Sequence, residues 1–296
     1  MTRLSFRRSS NRPLLALLFL LCSAAAGRAQ SKEATSTINK EFTLTADAGK
    51  STLALYNIFG SVRVEGYAGS KVVVEATKTV RADDAATLEQ GKKEAQLGFT
   101  QHGDSVVVYI AGPYDSRPHE NHNRWNSRDR DIDYRYEFDF VVKVPYAMNL
   151  HVGTVNNGSM EVKDVTGPLH VNNVNGPITL TNVRGTTRAH TVNGNVDATY
   201  AANPAGASSY HTINGKIRVK YPASLGANLH FKSMHGEFYT DFPDAEILPV
   251  QVTKNKEGKG GGTVYQLTKD TAVRIGKGGP DFRFETLNGD VTVSKM

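Results

Sequence analysis

Histidine supplies most of the reactive side chains in this 296-residue chain, because its single cysteine, Cys22, sits in an N-terminal apolar run. His119 and His122 lie three apart in a polar stretch, 112–131, with Glu120, Asp129 and Asp131 close by. Two imidazoles at that interval with one carboxylate are a donor set for a transition metal. The plainer reading is a solvated loop in which the histidines are incidental. Tyr114 and Trp125 share the stretch, and exposed rings stack on sugars or on a protein partner unless they fold back onto a sheet. Tyr114, His119, His122 and Trp125 therefore form a candidate binding loop, and no catalytic, cofactor-binding or metal-holding residues are assigned.

A second set, His151, His170, His190, His211, His230 and His235, recurs along the later part of the chain. His170 and His190 fall on outward strand positions, without a serine or aspartate placed to complete a catalytic triad. Asn157, Asn175 and Asn193, eighteen apart, stand where calcium-binding nonapeptide rolls carry aspartate. A neutral amide lacks the anionic oxygen such a site needs, so these read as turn formers. Outward charges of mixed sign, among them Glu161, Lys163, Arg188, Asp197 and Arg218, read as a solvated face. An enzyme would need acids converging in a groove.

Short strands must position these residues. Gly158, Gly167, Gly176, Gly185 and Gly194 fall every nine residues. Apolar residues recur two and four places later, as in Met160 and Val162 or Ile178 and Leu180, and two places before, as in Val165 and Val174. That is period-two alternation with one face buried and one wet, broken by glycine corners where the backbone is left-handed or crowded. Asn-Gly marks every second corner, so two nine-residue halves make one coil, and stacked coils enclose a narrow core. Ile213-Asn214-Gly215, Met234-His235-Gly236 and Leu287-Asn288-Gly289 continue the pattern at longer spacing. This constancy favours a single-domain all-β solenoid or roll, with two short strands per roughly 18–21-residue coil, over a sandwich.

Upstream the pattern is looser. Ile58-Phe59-Gly60 precedes Val62 and Val64, strands are expected at 72–74, 97–99, 106–110 and 132–144, and 81–93 has some helical character. The expected domain is 30–296, irregular to 140, with regular repeats over 141–240 and further coils over 241–296. Its last strand, 290–294, is expected to present an open edge. Residues 1–29 read as a cleaved secretory leader: Arg3, Arg7, Arg8 and Arg12, the apolar run 14–26, then Gly27-Arg28-Ala29. These five arginines account for most of the net charge of +6, so the mature chain is close to neutral and gives no reason to invoke nucleic acid. The mature chain has no cysteine, and no transmembrane segment is expected in it.

The run Val141 to Pro145, then Leu150-His151-Val152, then serial Val-Asn-Gly-x-Ile/Val units resemble a widespread bacterial family, the "putative adhesin" β-strand repeat proteins, a domain of unknown function. The resemblance is strongest over 141–239 and again over 281–295. It brings no catalytic residues and no cofactor to carry over. With the leader, it implies an exported protein, periplasmic or at the cell surface, with a non-catalytic role in adhesion, scaffolding or binding. An envelope protein or a glycan is the expected kind of partner. The runner-up is a polysaccharide-active enzyme on a β-helix scaffold.

Overall fold

The computed structural model describes residues 31–118, 131–249, 252–255, 264–267 and 271–296. The expected leader, and His119, His122 and Trp125 of the candidate loop, lie outside the described residues.

Valine, isoleucine and leucine at alternate positions favour pleated strands with one dry face, and the protein is all-β with one α-helix among the described residues. Through the regular repeats, successive strands go alternately to two sheets. Met160–Lys163, Ile178–Val183, Val196–Tyr200 and Ile217–Tyr221 lie side by side in the first. Asn149–Gly153, Leu169–Asn172, Thr187–His190 and Ser208–Asn214 lie side by side in the second. Neighbours are parallel and one repeat apart, so Met160, Ile178, Val196 and Ile217 form one inward row. Inward residues of both sheets belong to one hydrophobic core.

Crowding, more than backbone conformation, sets the glycine period, because the corners of neighbouring repeats lie over one another. A Cβ on Gly176 would stand 2.1 Å from the Gly158 oxygen, on Gly194 2.2 Å from the Gly176 oxygen, and on Gly215 2.0 Å from the Gly194 oxygen. The alternate glycines form a second column, where a Cβ on Gly185 would stand 1.9 Å from the Gly167 oxygen. Buried polar side chains satisfy the first column's carbonyls. Thr154 donates to Gly60, Asn173 to Gly158, Thr191 to Gly176, Thr212 to Gly194 and Thr286 to Gly215, at 2.8 to 3.1 Å. At the solvent side, asparagines build a ladder: Asn175 Nδ2 donates to Asn156 Oδ1, Asn193 to Asn175, Asn214 to Asn193 and Asn288 to Asn214, at 2.7 to 2.8 Å. Of the three asparagines read as turn formers, only Asn157 has a positive φ, 62°.

Sequence order is broken at both ends of the stack. Thr52–Tyr56 lies between Ser105–Gly112 and Asn149–Gly153, and Val62–Tyr67 lies between Tyr134–Pro145 and Met160–Lys163. Likewise Asp281–Asn288 lies between Ser208–Asn214 and Ala227–His235. Val291–Lys295 lies between Ile217–Tyr221 and Phe238–Thr240, so the open C-terminal edge expected from sequence does not exist. The last strand is paired on both sides, and Phe238–Thr240 holds the edge instead.

Antiparallel strands close the stack. Lys32–Thr43 pairs along its whole length with Lys71–Ala82, which pairs in turn with Tyr134–Pro145. The helix Ala85–Glu94 packs at this end with Gly91 against Tyr134 and Val80, and Asp84 Oδ1 accepts from the amides of Ala86 and Thr87 at 2.8 and 2.9 Å. At the far end Thr271–Ile275 runs antiparallel to both Ala227–His235 and Ala245–Ile247. Between the ends, three buried tyrosines interrupt the aliphatic core. The Tyr210 hydroxyl donates to that of Tyr200 at 2.6 Å and lies 3.0 Å from that of Tyr221, and Tyr200 donates to Thr187 Oγ1 at 2.5 Å.

Candidate functional site

Every second residue of the second sheet points to solvent, and in-register pairing lines these residues up in rows across the strands. One row runs Ala54, His151, His170, Arg188, Ser209, Arg283 and His230; the next runs Tyr109, Tyr56, Gly153, Asn172, His190, His211, Glu285 and Lys232. The imidazoles lie close in pairs. Ring centres of His151 and His170 are 4.4 Å apart with planes at 17°, and those of His190 and His211 are 4.6 Å apart at 43°. Tyr56 meets His151 edge-on at 5.5 Å. At the row's end the Tyr109 ring lies across Gly98, and the Arg117 guanidinium sits 4.1 Å from its centre.

Charge distinguishes this face from its counterpart. The six adjacent strands Ser105–Gly112, Thr52–Tyr56, Asn149–Gly153, Leu169–Asn172, Thr187–His190 and Ser208–Asn214 contain no carboxylate. Acids return at the margin, where Glu285 accepts from Lys232 at 2.6 Å and lies 3.6 Å from His211, and Asp281 lies 3.2 Å from His230. The first sheet's outer face is ion-paired across its strands, with Arg63 and Glu161 at 2.9 Å and Arg218 and Asp197 at 2.5 Å. That second arrangement is what solubility alone asks of a sheet. The acid-free face needs a different explanation.

Partial burial holds the His151 imidazole below its ordinary value. Burial does the same to His170, with His151, Arg188 and His190 adding to it, and to His190, with His211 adding. These three imidazoles are therefore largely uncharged at neutral pH and gather positive charge on acidification. A shallow hollow of about 320 Å³ opens on this face between Asn149, Pro168, His170, Thr186 and Arg188.

A second hollow, about 370 Å³, lies beside Phe59, Ile132, Arg135, Tyr136 and Asn157. The Tyr136 hydroxyl is buried there without a hydrogen-bond partner among the described residues, and burial, reinforced by Tyr114, pushes its phenol up to about 12. Tyr114 is the one member of the candidate loop among the described residues, half-buried near the loop's start. Two residues on, Ser116 Oγ donates to the Tyr56 carbonyl at 2.7 Å, so the loop is anchored beside the acid-free face. The histidine rows leave a signal in the sequence, though each histidine taken singly reads as one solvated residue. His151, His170, His190 and His211 are spaced by 19, 20 and 21 residues, one per coil, which puts them on neighbouring strands.

Among the described residues no cluster of three or more His, Cys, Asp or Glu side chains could hold a metal ion, and no helix is long and apolar enough to cross a membrane. No family model matches the chain, so the resemblance to the adhesin repeat family rests on sequence pattern alone, and no curated protein matches it either. Solved structures similar to it include a "putative cell adhesion protein" from Clostridium sporogenes, 11% identical with a TM-score of 0.42, covering 90% of this chain and 100% of that one. A "putative adhesin" from Bacteroides fragilis is 9% identical with a TM-score of 0.35, over 88% of this chain and 97% of that one. A "putative lipid binding protein" from Parabacteroides distasonis is 10% identical with a TM-score of 0.29, over 88% and 96%. Likeness this distant assigns no function.

Proposed function

We propose that this protein is an exported, non-catalytic binding module of the cell envelope or surface, adhesin-like in its role. Its scaffold is a two-sheeted β-solenoid that offers the second sheet's outer face to an extended partner. The acid-free, ring-bearing face carries this reading, because it contrasts with the ion-paired face built on the same repeats. Flat parallel sheets give long contact surfaces without moving parts, and loops add reach at their margins. On this reading the candidate loop of Tyr114, His119, His122 and Trp125 adds such reach, since Ser116 at its described start donates to the Tyr56 carbonyl.

Binding of the protein to envelope fractions and to a glycan panel tests this, using Arg188→Ala with Tyr56→Ala on one face and Arg63→Ala with Arg218→Ala on the other. Saturable binding lost only with the first pair is expected. Loss only with the second pair, or release of shortened oligosaccharides, would overturn the reading.

A further inference from the structure

We infer that the ligand of this face is a linear acidic polysaccharide, taken up as the imidazoles protonate; this rests on the binding-module reading above. Over six strands the basic outward groups of the two rows are Arg188, His151, His170, His190 and His211. All carry positive charge when protonated, and no acid among those strands neutralises them. Imidazoles with ring centres 4.4 and 4.6 Å apart resist being charged together, since like charges that close repel. A chain of carboxylates lying along the rows removes that repulsion, so uptake of protons and of ligand reinforce each other.

The rows are straight, with one side chain per strand about 4.8 Å apart, which suits an extended chain rather than a compact ligand. What separates the charges also favours a sugar. Asn149 and Thr186 line the hollow beside His170 and Arg188, Asn172 and Ser209 lie in the rows, and all four can hydrogen-bond sugar hydroxyls. Tyr56 and the imidazoles give ring surfaces for sugar C–H groups. Large apolar wedges of the kind a lipid surface needs are missing from the centre of the rows.

Other groups facing the histidines set the limits of the effect. Tyr56 meets His151, Arg188 borders His170, and Arg283 lies beyond Ser209. Glu285 faces His211 but is already held by Lys232. The acid-free part is thus bounded on one side by a neutralised acid and on the other by Arg117 with its Asp115.

Titration calorimetry with a linear polyuronate, its neutral methyl ester and a polyphosphate of similar length tests the inference at pH 5.0 and 7.5. Polyuronate should bind on the order of tenfold or more tightly at pH 5.0, and weaken with added salt. His170→Asn with His190→Asn should remove most of that pH dependence while the thermal melt stays cooperative. Arg63→Ala with Arg218→Ala, on the other face, should change neither. Equal binding of the neutral ester, or preference for polyphosphate, would overturn the ligand class and leave the binding module standing. Polyuronate binding indifferent to the histidine pair would overturn the proton coupling. No binding of any of the three at either pH would overturn this inference without touching binding to other envelope partners, which the pull-down above measures separately.

Discussion

Replacing Gly176 by alanine tests the close approach of corners in neighbouring repeats. The new Cβ would stand 2.1 Å from the Gly158 oxygen and 2.7 Å from Asn173 Nδ2, so the corner must open by about an ångström before ordinary contact is restored. Opening strains the 2.9 Å bond from Thr191 to the Gly176 carbonyl and the asparagine ladder at Asn175, held at 2.7 and 2.8 Å. Forcing a methyl group into packed structure costs about 1–3 kcal/mol, and a weakened hydrogen bond adds about 1 kcal/mol, so about 3 kcal/mol is expected. In a chain of this size that lowers Tm by about 6–12 °C. Gly49→Ala is the matched control, because its Cβ would meet nothing nearer than 3.6 Å, the Asp47 side chain. Both substitutions restrict the unfolded chain alike, so the difference between them isolates crowding. Thermal melts followed by circular dichroism would measure it. If the two variants melted within about 2 °C of each other, the stacked-corner account would be refuted.

Three further outcomes follow from buried groups. Tyr210→Phe should cost about 2 kcal/mol, because it strips Tyr221 of its one partner hydroxyl among the described residues; Tyr221→Phe should cost less, and denaturant midpoints compare them. Tyr136→Phe should stabilise by about 1 kcal/mol by removing a buried hydroxyl that has no partner among the described residues, and a lower Tm would refute this. His151, His170 and His190 are held below the unfolded value near 6.5, so the unfolded chain binds protons first as pH falls. Stability should therefore be complete above about pH 7 and decline as pH drops through and below 6.5. Denaturant midpoints at pH 7.5 and 5.0 should differ in that direction, and less so for His170→Asn with His190→Asn.

How much of this was readable in the residues depends on which neighbours set each feature. The period-nine glycines were legible because crowding leaves no alternative at Gly158, Gly176 and Gly194, whatever surrounds them. Lys32–Thr43 was not, since an edge strand that buries only Phe42 fully, with residues such as Thr35, Ser36 and Lys40 exposed, carries no apolar alternation. The placement of Asp281–Asn288 was hidden by the repeat itself. Leu287-Asn288-Gly289 fits beside any Asn-Gly corner, and the pairing of Asn288 with Asn214 is decided by the whole strand. The same holds for the histidine rows. His151 and His170 each read as one solvated residue until the register sets their rings 4.4 Å apart. The helix Ala85–Glu94 was half legible: Asp84 marks its start, but its packing at the end of the stack depends on Tyr134, forty residues away from Glu94.

The most direct test of the binding face is to follow the imidazole resonances of His151, His170, His190 and His211 through pH, with and without a linear polyuronate. The titration midpoints of His151, His170 and His190 should rise when the chain is present, while the side-chain resonances of Arg63 and Arg218 on the other face stay in place. Unchanged midpoints in the rows, in a sample where the chain is bound, would put the ligand elsewhere on the molecule and contradict the account.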